Sequence, residues 1–194
     1  MLFTMILYLH GFRSSPHSTK ARQFADAMAA LGRADEFVCP QLSVVPAEAL
    51  EQCHALIRQH GVPQAVVGSS LGGFYATCLA EQYGCRAVLI NPAVHPDRDL
   101  ANQIGTLAFF HTQEEFEFRF EYLAQLQALK PVRITQSQRY LLLAAKGDEV
   151  LDWREMVAHY LGATQIVLEG STHSLEEFPE YLPQVLAFCG VVNA

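Results

Sequence analysis

The chain has 194 residues, enough for one well-buried core and short for two, so a single domain is expected. Half of it is hydrophobic (51%) and only 17% is charged, which excludes a disordered chain. A formal net charge of −7 offers no clustered basic surface for nucleic-acid phosphates, so DNA and RNA are excluded as expected partners.

The opening "MLFTMILYL" is apolar, but it lacks a basic leader and a small-residue cleavage site and runs straight into "HGFRSSP". A buried strand over Phe3 to Leu9 is therefore expected. Next comes "STKARQFADAMAALG", with a Ser/Thr start and a Gly stop, which predicts an amphipathic helix. A short strand, Phe37 to Cys39, precedes a second helix, "PAEALEQCHALIRQHG", with Pro in its first turn and Gly61 beyond its last. Further strands are expected over Ala65 to Val67, Arg86 to Ile90, Tyr140 to Ala145 and Gln165 to Leu168. A third helix follows the serines at 69 and 70, and others begin near Asp152 and Ser174. Runs such as "AVLI" and "LLLAA" do not alternate polar with apolar, as expected of strands covered on both faces. The alternation of strand and helix predicts a three-layer α/β fold with about six mostly parallel strands and helices on both faces.

One stretch breaks that rhythm. Almost fifty residues separate Asn91 from Tyr140 without a clear strand of the main sheet, more than a plain crossover requires. Within it "EFEFRFEY" alternates strictly, and "FEYLAQLQALKP" then drifts to helical spacing. A lid-like insertion over about 97–131 is the natural reading, its aromatics either packing it onto the body of the domain or offering an apolar wall for an acyl chain. Phe116, Phe118 and Phe120, together with Gly11, are the expected substrate contacts.

The chemistry centres on "AVVGSSLGGFYA". A serine hydroxyl becomes a useful nucleophile only when it is exposed to substrate and paired with a base. A sharp strand-to-helix turn exposes it but crowds its neighbours, which glycines two residues to either side relieve, giving G-x-S-x-G. Gly68 and Gly72 fit this register around Ser70, whereas centring on Ser69 would place Val67 and Leu71 where glycines belong. A phosphate-binding loop would need Gly-Lys-Ser/Thr, and Gly73 is followed instead by Phe74 and Tyr75.

A nucleophilic serine calls for a histidine base and a carboxylate to orient it, in the order Ser, Asp/Glu, His. Asp148 stands just past the strand in "YLLLAAKGDEVLDW", and His173 in a Gly/Ser loop in "TQIVLEGSTHSLEEF". Asp152 reads better as a helix cap, and Asp97 is a further competitor for the acid. The turn after the first strand, through Gly11, lets a backbone amide approach substrate, so the N–H groups of Phe12 and Leu71 are assigned to an oxyanion hole. His10 is read as bracing that loop. Five cysteines without a CxxC pair, and eight histidines without ligand spacing, suggest neither disulfides nor a metal, and no organic cofactor is expected. No apolar run approaches the roughly 20 residues of a bilayer span. A soluble cytoplasmic setting is expected, without membrane insertion.

Taken together, "LHGFRSSP", "GSSLGG", "INPAV", "GDEVLD" and "GSTHSLEEF" resemble the small YqiA-type esterases of the α/β-hydrolase superfamily, over nearly the whole chain. The resemblance implies a parallel α/β-hydrolase sheet without the two N-terminal strands of larger members. It also implies hydrolysis of carboxylic esters through Ser70, Asp148 and His173, with a small-molecule acyl ester or thioester as substrate. The chain departs most from such esterases at "FFHTQEEFEFRF". The rival reading is a non-catalytic binding protein that keeps the fold.

Overall fold

The computed structural model describes residues 4–192. Six strands, β1 (Ile6–Leu9), β2 (Phe37–Val38), β3 (Ala65–Ser69), β4 (Arg86–Ile90), β7 (Tyr140–Ala145) and β8 (Thr164–Leu168), form one sheet in the order β2-β1-β3-β4-β7-β8. Every pairing is parallel. The expected first strand is described from Ile6 to Leu9, and Phe3, where it was expected to begin, lies outside the described residues.

Strands in this sheet are apolar throughout because alternate side chains enter two different cores. Ile6 and Tyr8 of β1 join Val67, Val88, Leu141 and Leu143 on one face. Leu7 and Leu9 join Val66, Leu89, Leu142 and Ala144 on the other. The first face is covered by α1 (Thr19–Ala30), through Ala21, Phe24 and Met28, and by α7 (Phe178–Phe188). The second is covered by α2 (Pro46–His60), α3 (Leu71–Tyr83) and, through Met156, α6 (Trp153–His159). Helices α1 and α3 thus leave neighbouring strands β1 and β3 for opposite faces. At such a divergence the carboxyl edge of a parallel sheet opens into a crevice.

Between β4 and β7 the chain forms a short α4 (Pro96–Asp99), an antiparallel hairpin of β5 (Gly105–Ala108) and β6 (Glu115–Phe118), and α5 (Phe120–Leu129). The alternating "EFEF" is β6, and its partner is a separate two-stranded ribbon rather than an extension of the main sheet. Leu126 of α5 is fully buried in the second core. Helix α7 begins at Phe178, four residues after the expected start, because residues 170–177 form the loop that carries His173.

Candidate active site

Ser70 stands between β3 and α3 with φ 56° and ψ −120°, a conformation that an L-residue adopts only under constraint. The constraint is visible in its neighbours. Its N–H donates to Ile90 O at 2.9 Å, and its own carbonyl accepts from the N–H of Gly73 at 2.9 Å and of Ala93 at 3.0 Å. The flanking glycines are required by close approach. A Cβ on Gly68 would lie 2.2 Å from Gly72 O, and one on Gly72 would lie 2.0 Å from Leu9 O. Any larger residue at either position would push α3 off the sheet.

Two loops bring a base and an acid to this serine. His173, after β8, places Nε2 3.1 Å from Ser70 Oγ and Nδ1 2.7 Å from Asp148 Oδ2. A carboxylate only accepts, so in the neutral ring Nδ1 carries the proton and Nε2 presents its lone pair to the serine hydroxyl. The Asp148 side chain is wholly shielded from solvent, whereas that of His173 is 21% exposed. The second oxygen of Asp148 accepts the N–H groups of Val150 and Leu151, each at 2.8 Å, which fixes the carboxylate plane. The arrangement can take a proton from Ser70 and hold the resulting imidazolium. Asp152 is the N-cap of α6, accepting from Arg154 N at 2.9 Å, and Asp97 lies in the first turn of α4.

The loop after β1 reaches the same point. A Cβ on Gly11 would sit 3.2 Å from Ser70 Cβ, so the backbone of this loop touches the serine. His10 braces it from behind: Leu42 N–H donates to Nε2 at 3.1 Å, which leaves Nδ1 to donate to Gly11 O at 2.9 Å. Burial holds the His10 ring below the usual histidine pKa, in keeping with this neutral form. The N–H of Leu71 is the first of α3 and has no acceptor within the helix.

A cavity of about 330 Å³ opens over Ser70 and His173, with Gly11 and Phe12 in its wall. None of the three phenylalanines expected to meet substrate lines it. Phe116 and Phe118, two apart on β6, share one face and pack edge-on against the Phe12 ring, at centroid distances of 6.0 and 5.0 Å. Phe120, at the start of α5, is 72% exposed. The hairpin reaches the cavity instead through Phe110 and His111 in its turn. Arg13 clips that turn in place: its guanidinium lies 4.5 Å above the Phe110 ring and donates to Ala108 O at 2.8 Å, and its carbonyl accepts Phe110 N–H.

Asn91 is a residue whose part the sequence did not reveal. It follows β4, is fully buried and has φ 42°. Its Nδ2 donates to the carbonyls of Thr172 and His173 at 3.1 Å each, and its Oδ1 accepts Ala145 N–H at 2.8 Å. One side chain thus ties the His173 loop to the end of the strand that leads to Asp148. The only sequence signal was an asparagine directly after a buried strand. Asn91→Leu leaves the His173 carbonyl and the Ala145 N–H unpaired, while Thr172 O keeps its bond from Leu175 N–H, so it should destabilise the fold by ~2–4 kcal/mol and lower turnover with Ser70 intact. Thermal melting and steady-state kinetics on the folded variant check this; an unchanged melting point and rate would remove Asn91 from the site.

Among the described residues, no cluster of three or more His, Cys, Asp or Glu side chains could hold a metal ion, and no helix is long and apolar enough to cross a membrane. A parallel sheet with a serine on a strained strand-to-helix elbow, met by histidine and aspartate from later loops, defines the α/β-hydrolase fold. Within that class the chain belongs to UPF0227, an uncharacterised protein family whose model matches residues 5–190. A UPF0227 protein of Vibrio vulnificus strain CMCP6 is 23% identical over 198 residues, covering 95% of this chain and 98% of that one. Among solved structures, a chain from Agrobacterium vitis S4, named only provisionally as a hydrolase, has a TM-score of 0.77 at 19% identity, covering 96% of this chain and 87% of that one. A monoacylglycerol lipase of Paleococcus ferrophilus has a TM-score of 0.62 at 13% identity, covering 96% of both chains.

Proposed function

We propose that the protein is a serine esterase that hydrolyses carboxylic esters or thioesters of small to medium acyl groups through an acyl-Ser70 intermediate. The observation that carries this reading is the unbroken hydrogen-bonded line from Ser70 Oγ through His173 to Asp148 beneath an open cavity. Ser70 Oγ attacks the carbonyl carbon while its proton passes to His173 Nε2. The carbonyl oxygen takes the negative charge and is held by the N–H groups of Phe12 and Leu71, the latter at the positive end of α3. As the carbonyl re-forms, the leaving alkoxide or thiolate takes the proton from His173. Water then repeats the sequence on acyl-Ser70: it gives a proton to Nε2, releases the acid and returns the hydroxyl. Asp148 keeps the ring in the required tautomer throughout and offsets the charge of the imidazolium. No oxidant, metal or cofactor enters the balance.

The class of chemistry is supported further by the fold shared with a monoacylglycerol lipase and by the strain stored at Ser70. The test is a fluorophosphonate probe followed by mass spectrometry, together with a panel of p-nitrophenyl and thioester substrates. A single adduct on Ser70 and turnover of at least one acyl ester are expected. A protein that neither labels nor hydrolyses any member would instead be a binding protein on a hydrolase scaffold.

A further inference from the structure

The cavity over Ser70 has an unexpected wall. Ser18, Thr19 and Lys20 are the cap and first residues of α1, and all three line it, as does Ser14. Lys20 is half-buried, and its Nζ donates to Ser174 O at 2.6 Å, which leaves two ammonium protons for another acceptor. Burial pushes its pKa down to about 8 against the opposing pull of the Asp148 carboxylate, so at neutral pH it is mostly charged. The Ser18 hydroxyl does not cap its own helix, and the first turn of α1 holds no acidic residue. No carboxylate lines the cavity, although the chain as a whole carries a net charge of −7. Among the described residues its phenyl rings are those of Phe12 and Phe110, with the imidazoles of His111 and His173 beside them. A purely aliphatic substrate filling this space would strip water from an ammonium and several hydroxyls without replacing their hydrogen bonds.

We propose that this wall binds an anionic group of the substrate, a carboxylate or phosphate a few bonds from the scissile carbonyl, and that Lys20 determines that specificity. The inference rests on the serine-esterase reading and adds to it a charge on the substrate. In a partly enclosed cavity a charge-assisted hydrogen bond is stronger than a surface ion pair, and the Ser14, Ser18 and Thr19 hydroxyls supply further donors. The competing role for Lys20 is mechanical: through Ser174 it could simply steady the neighbouring His173.

Two matched substrate pairs separate these roles and identify the source of the anion. For a carboxylate on the acyl side, p-nitrophenyl hemiglutarate is compared with p-nitrophenyl valerate. For a phosphate on the alcohol side, monobutyryl glycerol phosphate is compared with monobutyrin. In the wild-type protein the anionic member of at least one pair should show kcat/KM about tenfold above its neutral partner, the size of one good charged hydrogen bond. Lys20→Met should bring that ratio close to one, and Lys20→Arg should retain most of it. Wild-type protein that handles the neutral member as well as the anionic one in both pairs would overturn the inference while leaving the esterase reading intact. So would a Lys20→Met variant that slows both members of a pair equally, the mark of a mechanical brace. Failure of the wild type to cleave any ester would sink the esterase reading itself, and the substrate charge with it.

Discussion

Ser70→Ala should abolish ester hydrolysis and fluorophosphonate labelling, with a loss of ~10⁴-fold or more in kcat, while Ser69→Ala keeps most of its activity. Among the described residues, the Ser70 hydroxyl is the one that hydrogen-bonds His173 Nε2, at 3.1 Å. Ser69 is the last residue of β3, one position before the elbow, and shares the cavity wall without meeting the base. The alanine at 70 removes one exposed oxygen and leaves the backbone bonds to Ile90, Gly73 and Ala93 in place, so the variant should fold. Circular dichroism and melting establish that, and p-nitrophenyl acetate turnover gives the rate. If both folded variants lost activity equally, the glycine register would have pointed to the wrong serine.

The second large effect is expected at the acid. Asp148→Asn keeps one oxygen for the N–H groups of Val150 and Leu151, so the turn survives, and it turns an NH₂ group toward His173. That group donates to Nδ1 and drives the ring proton to Nε2, where it can no longer accept from Ser70. In serine proteases the equivalent change costs about 10⁴ in kcat, and a fall of that order is expected here with KM little altered. Asp152→Asn preserves a good helix cap on α6 and should change the rate by less than about twofold. Loss of activity in Asp152→Asn but not in Asp148→Asn would reverse the assignment.

The sheet was readable because its strands are buried on both faces, which writes them into the chain as unbroken runs such as "YLLLAA". Strand β3 was read three residues long rather than five, since Gly68 and Ser69 carry no strand signal of their own. Ser70, Asp148 and His173, the proposed nucleophile, acid and base, could be picked out from local context alone: each stands at a strand end with turn residues beside it. Asn91 could not, because its meaning lies in three partners 54 to 82 positions away. At Lys20 the positive charge beside the oxyanion loop was legible, but its contact with Ser174, 154 positions distant, was not. The aromatics of β6 left two readings open for another reason. Alternation correctly marks a face, but it does not say whether that face meets a ligand or, as with Phe116 and Phe118, the ring of Phe12.

The backbone at Ser70 sets two demands on the chain against each other. With φ 56° and ψ −120°, this is the position at which glycine would sit with least strain, by ~1–2 kcal/mol, and would free α3 from a constraint that the rest of the molecule sustains. Mutation and selection acting on persistence of the fold alone would drift toward glycine here, because among the described residues the hydroxyl bonds to His173 Nε2 rather than into the core. If Ser70 is the nucleophile proposed above, its place here is a standing sacrifice of stability to reactivity, and lineages that no longer needed the chemistry would be expected to shed it early.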